Sequence, residues 1–179
     1  TYWKFAQYFA DHGFTVISYD YFGIGLSKPQ NIKKCNASMR TWGSVDYKAV
    51  TNFIQEKYPD DRKFCVGHSV GALILGMNED SAVFEKFIFV ATQKAFVGNL
   101  NVKTKIASYL GFGLAQPVFT QILGYFPAHR FGIGESLPKA SAYDWRTLIL
   151  NKKSTNKLLE KIPNYSQNLT QKTLVISAE

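Results

Sequence analysis

The feature that most constrains this chain is the run Lys63-Phe64-Cys65-Val66-Gly67-His68-Ser69-Val70-Gly71-Ala72-Leu73-Ile74-Leu75. An apolar stretch of strand length leads into a Gly-x-Ser-x-Gly pattern, and small and aliphatic residues continue beyond it as a helix would. A strand that turns at once into a helix needs a tight junction. The serine at its apex takes a backbone conformation that L-residues avoid, and its flanking glycines leave room where strand and helix converge. The expectation is a nucleophile elbow. Ser69 would be the nucleophile, Gly67 and Gly71 the glycines that let the turn close, and the Val70 amide one oxyanion donor at a helix N-terminus. Three fixed positions in five recur by chance, so the flanking strand and helix patterns give the motif its weight.

The rest of the chain supplies the surrounding rhythm. Residues 1–11 read as a helix, with Tyr2, Phe5, Ala6 and Phe9 at helical spacing and Gly13 ending it. Residues 14–20 are rich in β-branched and aromatic types and read as a strand. The loop after it carries Gly23 and Gly25 but lacks the third glycine and the immediate helix of a dinucleotide site. Residues 44–57 form an amphipathic helix stopped by Pro59, residues 70–78 a helix, and residues 86–91 a strand apolar enough for burial on both faces. Residues 172–178 return to strand character. Strands alternating with helices specify an α/β fold with a mostly parallel sheet.

Between Thr92 and Gln171 no strand is expected. Residues 106–128 carry no charge, which raises a membrane-spanning reading. Pro117, with Gly111 and Gly113, is expected to split this stretch into two short helices, so no stable membrane span is predicted. Their apolar sides would lie over Ser69, with Phe112, Phe119, Tyr125 and Phe126 lining a pocket. Gln116 and Gln121 would face solvent or the segment's own polar contacts. The expected organisation is a core in residues 1–95, a helical cap inserted over residues 96–170 and a return strand in residues 171–179.

A net charge of +8 invites a nucleic-acid or anionic-membrane partner. The basic residues are scattered, however, with doublets such as Lys33-Lys34 and Lys152-Lys153 and no longer run. A solvated basic surface and no nucleic-acid partner are expected. Two cysteines are too few for a disulfide framework and fit a reducing, cytoplasmic compartment. No cluster of ligand types suggests a metal or an organic cofactor, and the expected partner is a small-molecule substrate.

The elbow, the Asp20 to Ser27 loop and the late strand together resemble the α/β-hydrolase superfamily. Members carry a strand ending in Asp-x-Arg-Gly-x-Gly-x-Ser, then a helix, the elbow, a cap and the strand bearing the catalytic acid. This chain reads Asp20-Tyr21-Phe22-Gly23-Ile24-Gly25-Leu26-Ser27, with Phe22 where arginine is usual, which removes a salt bridge anchoring that loop. Gly124-Tyr125-Phe126-Pro127 and Gly132-Ile133-Gly134-Glu135-Ser136-Leu137-Pro138, followed by Trp145, are similar to a little-characterised bacterial group of predicted hydrolases.

The resemblance implies a serine hydrolase that cleaves an ester through an acyl-enzyme, on a small apolar acyl substrate. A serine peptidase or acyltransferase, a non-catalytic binding protein on the same fold and a membrane-associated lipase are the alternatives. It also implies a fold incomplete at both ends, lacking the histidine, the first oxyanion donor and the acid, unless Glu179 is that acid. His68 would point away from the position of a base, and His12 and His129 would lie in a surface turn and in the cap.

Overall fold

The computed structural model describes residues 2–177. Strands β1 (Phe64–His68), β2 (Lys86–Val90) and β5 (Lys172–Ile176) form a parallel sheet in the order β1-β2-β5. Val66 stands opposite Ile88, and Ile88 opposite Leu174. Phe87 and Gly67 are buried, while β5, at the sheet edge, is exposed along its whole length. Two short strands, β3 (Tyr125–Phe126) and β4 (Leu137–Pro138), pair antiparallel within the segment for which no strand was expected.

The helix α1 (Trp3–Asp11) ends at Gly13, whose φ of +85° suits a residue without Cβ. The expected strand over residues 14–20 does not form, and the segment stays outside the sheet. Phe14 packs edge-on against Phe64, so the segment approaches β1 through side chains, without a ladder. β-propensity reports fit to a half-buried pleated surface, and this segment is exposed throughout.

The next helical run starts earlier than its apolar pattern suggests. Ser38 and Thr41 form a capping box: the Ser38 hydroxyl accepts from the Thr41 amide, and the Thr41 hydroxyl from the Ser38 amide. α2 (Met39–Thr41) then passes through a wide π turn (Trp42–Asp46) into α3 (Tyr47–Lys57). Met39 and Trp42 join Ile74, Met77, Leu148 and Leu158 in the main core cluster. The helix after Ser69 is shorter than expected: α4 (Val70–Leu73) tightens into a 3-10 turn at Leu75–Met77. There Gly76 accepts a bond from the Tyr165 amide, and a Cβ on it would lie 1.9 Å from the Ser166 hydroxyl.

The uncharged stretch corrects the expectation of two helices. α5 (Val102–Ser108), a π stretch (Tyr109–Ala115) and α6 (Gln116–Leu123) make one helix of 22 residues, long and apolar enough to cross a membrane by length and composition. Gly111 and Gly113 face open space, and Asn101 caps the start through the Thr104 amide. Pro117 survives because of what replaces its missing N–H. In π winding the carbonyl of residue 112 looks to the amide of residue 117. Here the Arg146 guanidinium, from α7 (Lys139–Leu150), donates to that Phe112 carbonyl at 3.0 Å. Arg146→Met is expected to cost about 1 kcal/mol, read as a lower urea midpoint at unchanged slope. An unchanged midpoint would mean that the proline needs no such support.

The inner side of this helix holds Gln116 and Thr120, both fully buried and bonded to each other. Gln121 bonds the Tyr143 hydroxyl and the Lys139 ammonium. Thus both glutamines serve polar contacts within the segment. The apolar side chains Val102, Ile106, Leu110, Leu114, Val118 and Ile122 are exposed, so the apolar side does not close over Ser69 as expected. α8 (Thr155–Leu159) follows α7 and contributes Leu158 to the core.

Candidate active site

Ser69 stands at the end of β1 and directly before α4, with φ 51° and ψ −117°. Its amide donates to the Val90 carbonyl at 2.9 Å, which ties the turn to β2, and the Ala72 amide returns to the Ser69 carbonyl at 3.3 Å. A Cβ on Gly67 would fall 2.8 Å from both the N and the Cα of Ala72. Strand and helix meet there with no room for a side chain. At Gly71 the expected collision is absent: a Cβ would sit 3.5 Å from the Tyr21 hydroxyl, an ordinary contact.

Positive φ alone does not distinguish Ser69. Ala91, just past β2, has φ 50°, and Ser154 has φ 49° with ψ −125°. Ser154 is fully buried, its hydroxyl has no partner among the described residues, and no strand leads into it. Ser69 is half-buried at the C-terminal edge of a parallel sheet, the edge where α/β folds bind ligands.

The loop before α2 is shaped around this turn. The Asp20 carboxylate accepts from the Leu26 amide at 2.9 Å, and Gly25, at φ +52°, lies so close that a Cβ would overlap that carboxylate. The arginine that Phe22 replaces is compensated through the backbone. The Phe22 amide donates to Asp46 at 2.8 Å, and the Trp42 indole donates to the Phe22 carbonyl at 3.0 Å. Burial pushes the Asp46 carboxyl above the usual carboxylate range, and the Phe22 N–H pulls the other way. Tyr21 stacks on Trp42 at 5.0 Å, and burial pushes its phenol up to about 12, so it stays neutral near the elbow. Across the chain, Glu135 accepts from the Gly25 amide at 3.1 Å. Sequence reasoning missed Trp42, Asp46 and Glu135, because nothing in their spacing links them to a loop distant in sequence.

The three histidines bond away from Ser69. Nδ1 of His68 meets the Tyr2 hydroxyl at 2.8 Å, that of His12 the Tyr8 carbonyl at 2.7 Å, and that of His129 the Ser136 hydroxyl at 2.6 Å. Glu179, the candidate acid, lies outside the described residues. Among the described residues no three His, Cys, Asp or Glu side chains gather as a metal site. Two of the aromatics expected to line a pocket pack on Phe131 instead: Phe126 stacks on it, and Phe119 meets it edge-on. Tyr125 instead helps line an open cavity of about 550 Å³, with Lys28, Lys33, His129 and Glu135.

A parallel sheet flanked by helices, with a strained serine between β1 and α4, is the architecture of the α/β-hydrolase class. The family model described as serine aminopeptidase, S33 matches residues 1–112, and the chain belongs to that family. Comparison with curated proteins and with solved structures gave no match. The protein is thus a hydrolase of the α/β-hydrolase fold.

Proposed function

We propose that this protein is a serine hydrolase that cleaves esters of small apolar acyl groups, with Ser69 as the nucleophile. The observation that carries the reading is the Ser69 backbone, φ 51° and ψ −117° on a strand-to-helix turn, the conformation in which a nucleophile elbow holds its serine clear of the chain. Ser69 Oγ attacks the ester carbonyl while a histidine takes its proton. The Val70 amide, in the first turn of α4 where N–H groups lack helical acceptors, donates to the oxyanion. Collapse expels the alcohol, which takes the proton from the histidine, and water then releases the acid and restores Ser69. Among the described residues no hydrogen bond joins a histidine to Ser69, so this reading requires a histidine to be brought to it.

The family description favours a second reading, in which the same serine opens a peptide bond next to a free amino terminus. Both readings predict that a fluorophosphonate probe labels the intact protein and that Ser69→Ala is not labelled. Equal labelling of the variant would move the nucleophile elsewhere. An unlabelled wild type would favour a binding protein on a hydrolase fold. Between the two enzyme readings, turnover of an unactivated alkyl ester with no cleavage of an aminoacyl anilide supports the esterase, and cleavage of the anilide supports the peptidase.

A further inference from the structure

The long helix Val102–Leu123 presents a row of large aliphatic side chains to solvent. Val102, Ile106, Leu110, Leu114, Val118 and Ile122 follow one another at intervals of four, each between 45% and 75% exposed. Four residues of α-helix over-rotate by about 40° per step, so such a row would wind round an ordinary helix. The looser π winding of Tyr109–Ala115 turns less per residue and takes part of that drift back. The row thereby stays nearer to one side. Phe131, in contact with Phe119 of this helix and itself half-exposed, adds to the apolar surface.

A core helix of a soluble protein can be as apolar as this one, but it is mostly buried, whereas here only 11% of the most apolar window is. Charge states what would cover it. From residue 86 to residue 134 the chain contains no Asp or Glu, and its charged residues are Lys86, Lys94, Lys103, Lys105 and Arg130. Lys103 and Lys105 lie in the first turns beside Val102 and Ile106, and neither enters an ion pair among the described residues. An apolar row with lysines in its first turns, in a stretch of chain without acids from residue 86 to residue 134, fits an anionic bilayer surface, where acyl chains meet the row and headgroups meet the lysines.

We propose that this helix lies along the surface of an anionic membrane, with the row from Val102 to Ile122 immersed in the interface. It lies on the bilayer and does not cross it. Its opposite side is fixed to the domain by buried Gln116 and Thr120 and by the Arg146 bond to Phe112, contacts that a spanning helix would have to abandon. The proposal does not depend on the chemistry at Ser69.

Flotation of the intact protein with lipid vesicles tests it. Binding is expected to vesicles of equimolar phosphatidylcholine and phosphatidylglycerol, and to be about tenfold weaker with phosphatidylcholine alone. The exposed pair Leu110→Asn and Leu114→Asn should weaken binding to the mixed vesicles about tenfold or more, with melting unchanged. Lys103→Gln with Lys105→Gln should weaken binding to the mixed vesicles only. Ser69→Ala should float like the wild type, so failure of the hydrolase reading would leave this result standing. Absence of flotation with either vesicle, or binding indifferent to the leucine pair, would overturn the proposal. So would protein that stays with the vesicles through an alkaline carbonate wash, because the helix would then span. A dimer in sedimentation velocity that the leucine pair dissolves would give the row to a second copy of this chain.

Discussion

Ser69→Ala is expected to lower kcat/KM on an aryl ester by about a thousandfold or more, the scale for loss of a nucleophile. Ser69→Gly should lose as much activity yet gain stability. Serine and alanine both carry a Cβ, so both pay for φ 51° with ψ −117°, a region that costs a non-glycine residue about 1–3 kcal/mol. Glycine enters it freely and gives back about 0.5–1 kcal/mol through the greater freedom of its unfolded chain. The net expectation is a glycine variant about 1 kcal/mol more stable than the alanine variant. Paired urea denaturations and ester assays on the three proteins read both effects. Residual Ser69-independent turnover would remove the serine from the chemistry, and a glycine variant that unfolds first would mean that no strain is stored there.

The second large effect lies two residues earlier. Gly67→Ala puts a methyl group 2.8 Å from the N and Cα of Ala72, and neither atom can swing aside. The strand and helix must separate, which should cost about 3 kcal/mol. Ala72→Gly in the same chain should not restore it, because two of the three closest atoms are backbone. Gly71→Ala, whose Cβ would meet only the Tyr21 hydroxyl at 3.5 Å, should cost less than about 1 kcal/mol. The contrast is the test. If the two glycines prove equally sensitive, the close approach of Gly67 to Ala72 is not what the motif's first glycine provides.

These glycines show how far a sequence can be read. The pattern around Ser69 announced a strand, a turn and a helix, and the strained backbone is where the pattern put it, because a tight junction leaves few residue types to choose from. The apolar runs at residues 86–91 and 172–178 announced β2 and β5 because β-branched and aromatic residues favour the extended pleated backbone, at the exposed edge as well as in the middle of the sheet. Residues 14–20 have the same composition and form no ladder. Composition says that a segment can pair, and only the tertiary arrangement says whether a partner is offered. The long helix was misjudged at Pro117, since the residue that satisfies the Phe112 carbonyl is Arg146, 34 positions away. Phe22 in place of an arginine was legible as a loss. Its replacement by the Asp46 and Trp42 bonds was not, because each joins a Phe22 backbone group to a side chain 20 or more positions away.

A helix wound loosely in its middle resembles a screw with adjustable pitch. Returning Tyr109–Ala115 to α winding would shift the two ends against each other by the order of one residue, or about 100°. Val118 and Ile122 would then swing about a quarter turn away from the line of Val102 and Ile106, giving two short greasy rails at odds with each other. The Phe112 carbonyl is offered to Arg146 in the loose pitch, so one guanidinium on a neighbouring helix sets the gearing. A single inserted or deleted residue near Gly113 should therefore do more to the protein's outer face than many substitutions on it, and leave the sheet beneath untouched.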